Sequence, residues 1–149
     1  MRPLAAGSLA PEVAGAPAGT RALVFYKVTC PVCQMAAPKL EQLESAYPGR
    51  TISIGQDPDP DLDAFATEHG MHSVPHQSEP PPYELSNSYG VRVVPTLFLI
   101  DDLGAIVDVM ESWDRDVFNR VSAKLAAMIG ASEVVVSDGS DGLPVFRPG

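Results

Sequence analysis

The chain has 149 residues, 45% of them hydrophobic and 19% charged, with a net charge of −9. That length holds one domain with a substantial core. The acidic balance argues against nucleic acid or an anionic membrane surface as partner. No apolar run approaches the roughly 18 residues that a membrane-spanning helix needs.

Met1-Arg2-Pro3-Leu4-Ala5-Ala6-Gly7 has no continuous apolar stretch, so no secretory leader is read and a cytoplasmic location is expected. A periplasmic chain whose leader or anchor had been trimmed reads the same way. In a reducing compartment, paired cysteines are usually catalytic or metal-binding rather than structural. The fifteen prolines and twelve glycines concentrate in the first 20 residues, in 57–82 and at the end of the sequence, which marks those regions as loops and tails.

In chain order, residues 1–19 form an Ala/Gly/Pro-rich extension with at most one short edge strand. The apolar run from Arg21 to Val28 predicts a buried strand, and about 31–46 predicts a helix with Val32, Ala36, Leu40 and Leu43 on one face and a kink at Pro38. Ile52 and Ile54 place a second strand at 51–56. Asp57-Pro58-Asp59-Pro60 reads as a turn, and 61–69 as a short helix with Leu62, Phe65 and Ala66 inward. A short strand is expected at 71–76, a stiff connection at 77–82, and a short helix or turn at 83–89. Val93–Ile100 carries the strongest strand signal, and a turn at 101–104 leads to an antiparallel partner at 105–110. Asp114 predicts the N-cap of the last helix, with Trp113 and Phe118 as a hydrophobic staple. Its buried stripe is Val117, Val121, Leu125, Met128 and Ile129. Residues 131–149 form a tail in which Val134-Val135-Val136 alone is β-prone. The order β-α-β-α, linker, β-β-α predicts parallel pairing first and a C-terminal hairpin afterwards.

Chemistry concentrates at Cys30-Pro31-Val32-Cys33. A strand ends just before the pair and a helix begins at it, with Pro31 at the first helical position, where a missing N–H costs nothing. The first cysteine then lies at a helix N-terminus, where free N–H groups and the dipole favour a thiolate. The second is one turn on, within disulfide reach. Strand, Cys-x-x-Cys and helix in that order make a two-electron thiol–disulfide switch.

Three motifs carry a resemblance that covers roughly residues 7–130: Phe25 with Cys30-Pro31-Val32-Cys33 and Pro38; Tyr89-Gly90-Val91 with Val94-Pro95-Thr96; and Leu97-Phe98-Leu99-Ile100-Asp101 with Gly104. On these the chain resembles thioredoxin-fold thiol–disulfide reductases of the TlpA-like and alkyl-hydroperoxide-reductase-related group. The resemblance implies an α/β fold, a thioredoxin-like three-layer α/β/α sandwich about a mixed sheet, with its core over about 20–130. It implies that Cys30 attacks, that Cys33 resolves, and that the redox-active Cys30–Cys33 disulfide serves without a further cofactor. It also implies a cis Val94–Pro95 bond that, with Thr29 and Pro31, presents backbone and side chains to substrate. Pro75 sits nearer the spacing of a small thioredoxin, but no apolar strand follows it, so Pro95 is the choice and 57–82 holds a short insertion. Implied partners are protein disulfides or dithiols and an upstream electron donor, and a monomer is expected. The sequence departs from the family at Thr29 and Tyr26, where tryptophan is common. It departs again at Val24, where thioredoxins bury an acid, and at Ala36, where cytochrome-maturation members carry glutamate. These departures count against an efficient general reductase and against cytochrome maturation.

Other residues read more plainly. Lys27 and Tyr26 are candidates to tune the Cys30 thiolate, although a lysine there more often points to solvent. His72, His76 and Met35 are candidate ligands for a copper-carrier alternative, but histidines in Pro-rich loops are usually surface residues, and no metal site is assigned. Asp57, Asp59, Asp61 and Asp63 lack the glycine and terminal glutamate of a calcium loop and read as a turn and helix cap. A peroxiredoxin-type peroxidase needs Thr or Ser three residues before its cysteine and Pro six or seven before. Lys27, Val24 and Leu23 precede Cys30 at those positions, and Cys30, Lys27 and Tyr26 precede Cys33, so both placements fail.

Overall fold

A computed structural model describes residues 2–149. Five strands form the central sheet: β1 (Arg21–Tyr26), β2 (Thr51–Gly55), β3 (His76–Ser78), β4 (Thr96–Ile100) and β5 (Ile106–Glu111). Their spatial order is β3-β2-β1-β4-β5. β1 pairs parallel with β2 (Val24 opposite Ser53) and antiparallel with β4 (Val24 opposite Leu97); β2–β3 is parallel and β4–β5 antiparallel. The sheet is therefore mixed, with the parallel half first and the hairpin afterwards.

The central strands are covered on both faces, which is why β1, β2 and β4 read as continuous apolar runs. Alternation along β1 sends Ala22, Val24 and Tyr26 to one core and Leu23 and Phe25 to the other. The first core lies beneath α1 (Pro31–Ala46), α2 (Asp59–His69) and α4 (Arg115–Ile129). The second is covered by α3 (Glu84–Ser88), with Tyr89 behind it, and by Leu4, Ala10, Val13 and Ala16 of the N-terminal extension. That layer is thin, and Leu9 makes a single antiparallel bridge to Ala105 rather than an edge strand.

The expected inward faces of α1 and α2 are buried, and α1 runs on through an exposed Pro38. Asp114 caps α4 by accepting from Val117 N–H at 3.2 Å, and the Trp113 and Phe118 rings pack 5.2 Å apart. Four expectations shift. The helix expected at 61–69 starts at Asp59 with Pro58 as its N-cap, because Pro60 fits a first turn and Asp59 and Asp61 suit its positive end. The strand expected at 71–76 is β3 at 76–78 instead; Met71 and Val74 are buried in loop, and pairing with β2 begins only beyond Pro75, which has no N–H to give. β4 starts at Thr96 rather than Val93, for the same reason at Pro95. Met128 is 39% exposed, and Phe118, Ser122 and Ala126 fill the α4 face in its stead.

The tail forms no strand at 134–136. It runs back across α1 and α4, with Val134 N–H donating to Tyr47 Oη (2.9 Å), Lys39 Nζ donating to the Val136 carbonyl (3.0 Å), and Asn119 bonded to Ser137 at both amide atoms. It ends in a second small antiparallel sheet, β6 (Trp113–Asp114) with β7 (Phe146–Arg147).

Candidate active site

The Cys30–Cys33 pair sits where β1 gives way to α1. After Tyr26 the chain turns outward, and Val28 N–H is taken by the Asp57 carboxylate (2.9 Å) at the end of β2. Gln34 Nε2 donates to the Val28 carbonyl (2.9 Å), and Cys30 N–H donates to the Lys27 carbonyl (3.1 Å). This fixes Cys30 as the N-cap of α1 in extended backbone (φ −84°, ψ 114°), with Pro31 exposed at the first helical position.

The capping atom is the sulfur: Cys33 N–H donates to Cys30 Sγ at 3.2 Å. Both cysteines are free thiols here, Cys30 half-buried and Cys33 buried. Their acidities are driven apart. A hydrogen bond from the Cys33 thiol pushes Cys30 down to about 6, against burial, with help from the backbone N–H groups of Cys33 and Val32 and the charge of Arg147. Burial pushes Cys33 far up, and its bond to the Cys30 sulfur and the nearby Asp57 charge push the same way. The pair thus sets a more acidic, half-exposed thiol beside a less acidic, buried one.

The other wall is the Val94–Pro95 bond, which is cis. The Cys30 thiol donates to the Val94 carbonyl at 3.4 Å, so this peptide lies directly against the half-exposed sulfur. The second cis bond among the described residues joins Pro81 and Pro82, and Pro75 is not involved in one.

Thr29 and Pro31 are exposed on either side of Cys30, whose thiol meets the carbonyl of the half-buried Val94, while Pro95 is buried. Tyr26 does not join them. It is buried against Phe65, its hydroxyl has no partner among the described residues, and burial pushes it up to about 12, which keeps it neutral. Lys27 meets Cys30 through its carbonyl, and the cation that lowers Cys30 is Arg147. Val24 and Ala36 are buried in the same apolar core as Cys33. His72 and His76 face Glu41 and Asp63 (3.6 and 2.8 Å). Arg147 and Asp57 were missed by sequence reasoning: neither lies in a periodic element or a motif.

No protein-family model matches the chain, and no curated protein sequence matches it. Solved structures do. The chain is similar to a candidate protein disulfide isomerase from Bacteroides thetaiotaomicron (TM-score 0.75, 19% identity, 87% of this chain and 95% of that one). It is similar to the thioredoxin domain of a thiol-disulfide oxidoreductase from Bacteroides vulgatus (0.66, 20%, 82% and 99%). It is also similar to a secreted Mycobacterium tuberculosis disulfide oxidoreductase homologous to E. coli DsbE (0.62, 18%, 76% and 85%). The chain has the thioredoxin fold.

Proposed function

We propose that this chain is a thiol–disulfide oxidoreductase acting on protein disulfides. The observation that carries the reading is the geometry of the pair, with Cys30 half-exposed at the N-cap of α1 against the Val94 carbonyl and Cys33 buried one turn behind it, an arrangement that drives their acidities apart. The names of the structural neighbours support the same chemistry.

The Cys30 thiolate attacks one sulfur of a substrate disulfide, forms a mixed disulfide and expels the other sulfur as a thiolate. Cys33 then loses its proton and attacks Cys30 Sγ. The Cys30–substrate bond breaks, the second substrate sulfur leaves and takes up a proton, and the Cys30–Cys33 disulfide remains. Two electrons have passed to the substrate; a donor dithiol returns them by the reverse steps. Thr29, Pro31 and the Val94–Pro95 backbone form the docking surface in this reading, since an extended chain laid beside Val94 brings its disulfide to Cys30. No helix among the described residues is long and apolar enough to cross a membrane.

The test is trapping. Cys33→Ser accumulates mixed disulfides with reducible protein substrates, and Cys30→Ser forms none. If Cys33→Ser forms no adduct with an unfolded disulfide-bonded protein, the assigned roles fail. The potential of the pair sets direction: about −270 mV suits a reductant, and about −120 to −180 mV an oxidant or isomerase in an extracytoplasmic compartment.

A further inference from the structure

The surface beside Cys30 already has an occupant. Residues 143–149 return to the site as an extended segment on β6: Trp113 Nε1–H donates to the Pro144 carbonyl (2.8 Å), Arg115 N–H donates to the Val145 carbonyl (2.9 Å), and Trp113 and Asp114 pair with Arg147 and Phe146. The segment ends against the Val94–Pro95 peptide. Gly149 N–H donates to Ser112 Oγ (2.9 Å), and Ser112 N–H in turn donates to the Pro95 carbonyl (2.8 Å). Gly149 lies so close that a Cβ there would overlap the Val94 carbonyl, the same oxygen that receives the Cys30 thiol. Arg147 reaches Met35, its Nη1 3.8 Å from Sδ on the cysteine-bearing helix.

The segment's own character fits a removable cover. Residues 144–149 are all exposed, Val145 and Phe146 at 54% each, and none of them belongs to either hydrophobic core. The clamps that hold the tail, Lys39–Asp141 (2.9 Å) and Arg115–Asp141 (3.4 Å), lie upstream and stay closed if only the last residues move. Ser112, which links Gly149 to Pro95, is held at φ 66°, a conformation that non-glycine residues seldom adopt outside tight functional geometry.

We infer that residues 146–149 are an intramolecular occupant of the substrate site, lying where an extended disulfide-bearing polypeptide must dock and leaving before it does. The inference rests on the proposed function. An extended polypeptide needs the Val94 backbone and competes with the segment. A small disulfide needs only the exposed side of the Cys30 sulfur and does not. The segment thus lowers the fraction of molecules open to large substrates, which reduces their apparent affinity by that fraction. The closed segment also holds the Arg147 charge near Cys30.

The experiment compares three reduced proteins: the full chain, a chain ending at Val145, and full-length Gly149→Ala. Rates of exchange are measured with glutathione disulfide and with an unfolded peptide carrying one disulfide. Both variants raise kcat/KM for the peptide by about fivefold, the effect of removing roughly one hydrogen bond's competition, and Gly149→Ala, which keeps the Arg147 charge, changes the glutathione disulfide rate by less than about twofold. Gly149→Ala keeps Arg147 and every anchor at 143–145, and thermal unfolding confirms that each variant is folded. A second readout is the Gly149 amide, protected from hydrogen exchange in the free chain and unprotected in the Cys33→Ser–peptide mixed disulfide. Peptide rates equal to or below the full chain's in both variants, or a Gly149 amide still protected in the adduct, overturn the inference. Absence of exchange with either disulfide in all three proteins overturns the oxidoreductase reading itself, a result distinct from unchanged selectivity.

Discussion

Replacing Cys33 by alanine removes the interaction that most lowers Cys30, the hydrogen bond from the Cys33 thiol to the Cys30 sulfur. The backbone donors of Cys33 and Val32 remain, as does the Arg147 charge. A hydrogen bond to a charged acceptor is worth about 1.5–3 kcal/mol, and one pKa unit corresponds to about 1.36 kcal/mol, so a dry site would shift by about one to two units. Cys30 is only half-buried, and solvent screening brings the expectation to the lower end, a rise from about 6 to about 7. Cys33→Ser retains a donor at nearly the same place and leaves Cys30 near its native value. Thiolate absorbance and alkylation by iodoacetamide, each followed against pH, read the midpoint directly. If Cys33→Ala titrates where the native protein does, the helix N-terminus and Arg147 hold the thiolate, and the sulfur–sulfur bond is incidental. Arg147→Gln then moves the midpoint instead.

Glu44, buried on α1, accepts from Gly49, Arg50 and Thr51 N–H groups (2.7, 3.2 and 3.0 Å) and so ties the end of α1 to the start of β2. Glu44→Ala is expected to lower the urea-unfolding free energy by about 2–3 kcal/mol, with the Cys30 titration unchanged. Asp141 is held well below the usual carboxylate range, first by the Ser137 hydroxyl and then by Lys39. A carboxylate whose folded pKa is depressed contributes stability that is complete above its unfolded pKa, about 3.9, and is lost as pH falls through the folded one. Acid should therefore loosen residues 137–143, and Asp141→Asn should loosen them at pH near neutral and weaken that acid dependence. Hydrogen exchange along the tail measures both, and an Asp141→Asn tail that keeps native protection refutes the assignment.

What the sequence showed and what it hid differ by the range of the forces involved. α1 and α4 were legible because a 3.6-residue apolar period, Pro31 and the Asp114 cap act within the segment itself. Pro95 was distinguished from Pro75 because a buried strand follows one and not the other. The path of 131–149 was not legible, because its tethers are single side chains far away in sequence: Tyr47 to Val134, Lys39 to Asp141, Trp113 to Pro144. None leaves a local pattern, so Arg147 arrives at the active site with no signal in its own neighbourhood. Met128 failed for the opposite reason, since the period places it on the edge of the stripe and tertiary packing decided the edge.

The resolving step of the proposed mechanism poses the remaining chemical question, because Val24, where the resemblance would place a buried acid, is apolar and shares a hydrophobic core with Cys33. Two of the causes that keep Cys33 protonated are the hydrogen bond to Cys30 and the charge on Cys30, and both belong to the free thiolate. In the proposed mechanism Cys30 loses that charge on entering a mixed disulfide, so Cys33 becomes more acidic at the step in which it attacks, with no buried acid required. Burial persists, and it is the largest cause, so the thiol stays above the ordinary value. Cys30→Ser reproduces the uncharged neighbour. In that variant Cys33, followed through the NMR shift of its Cβ, is expected to titrate below its native position yet above about 8.5, the value of a free cysteine. A midpoint at or under about 8.5 would mean that burial is not what holds the proton. A midpoint unmoved from the native protein's would mean that the thiolate of Cys30 does not, and that deprotonation of Cys33 depends on Asp57 or on the departing substrate sulfur.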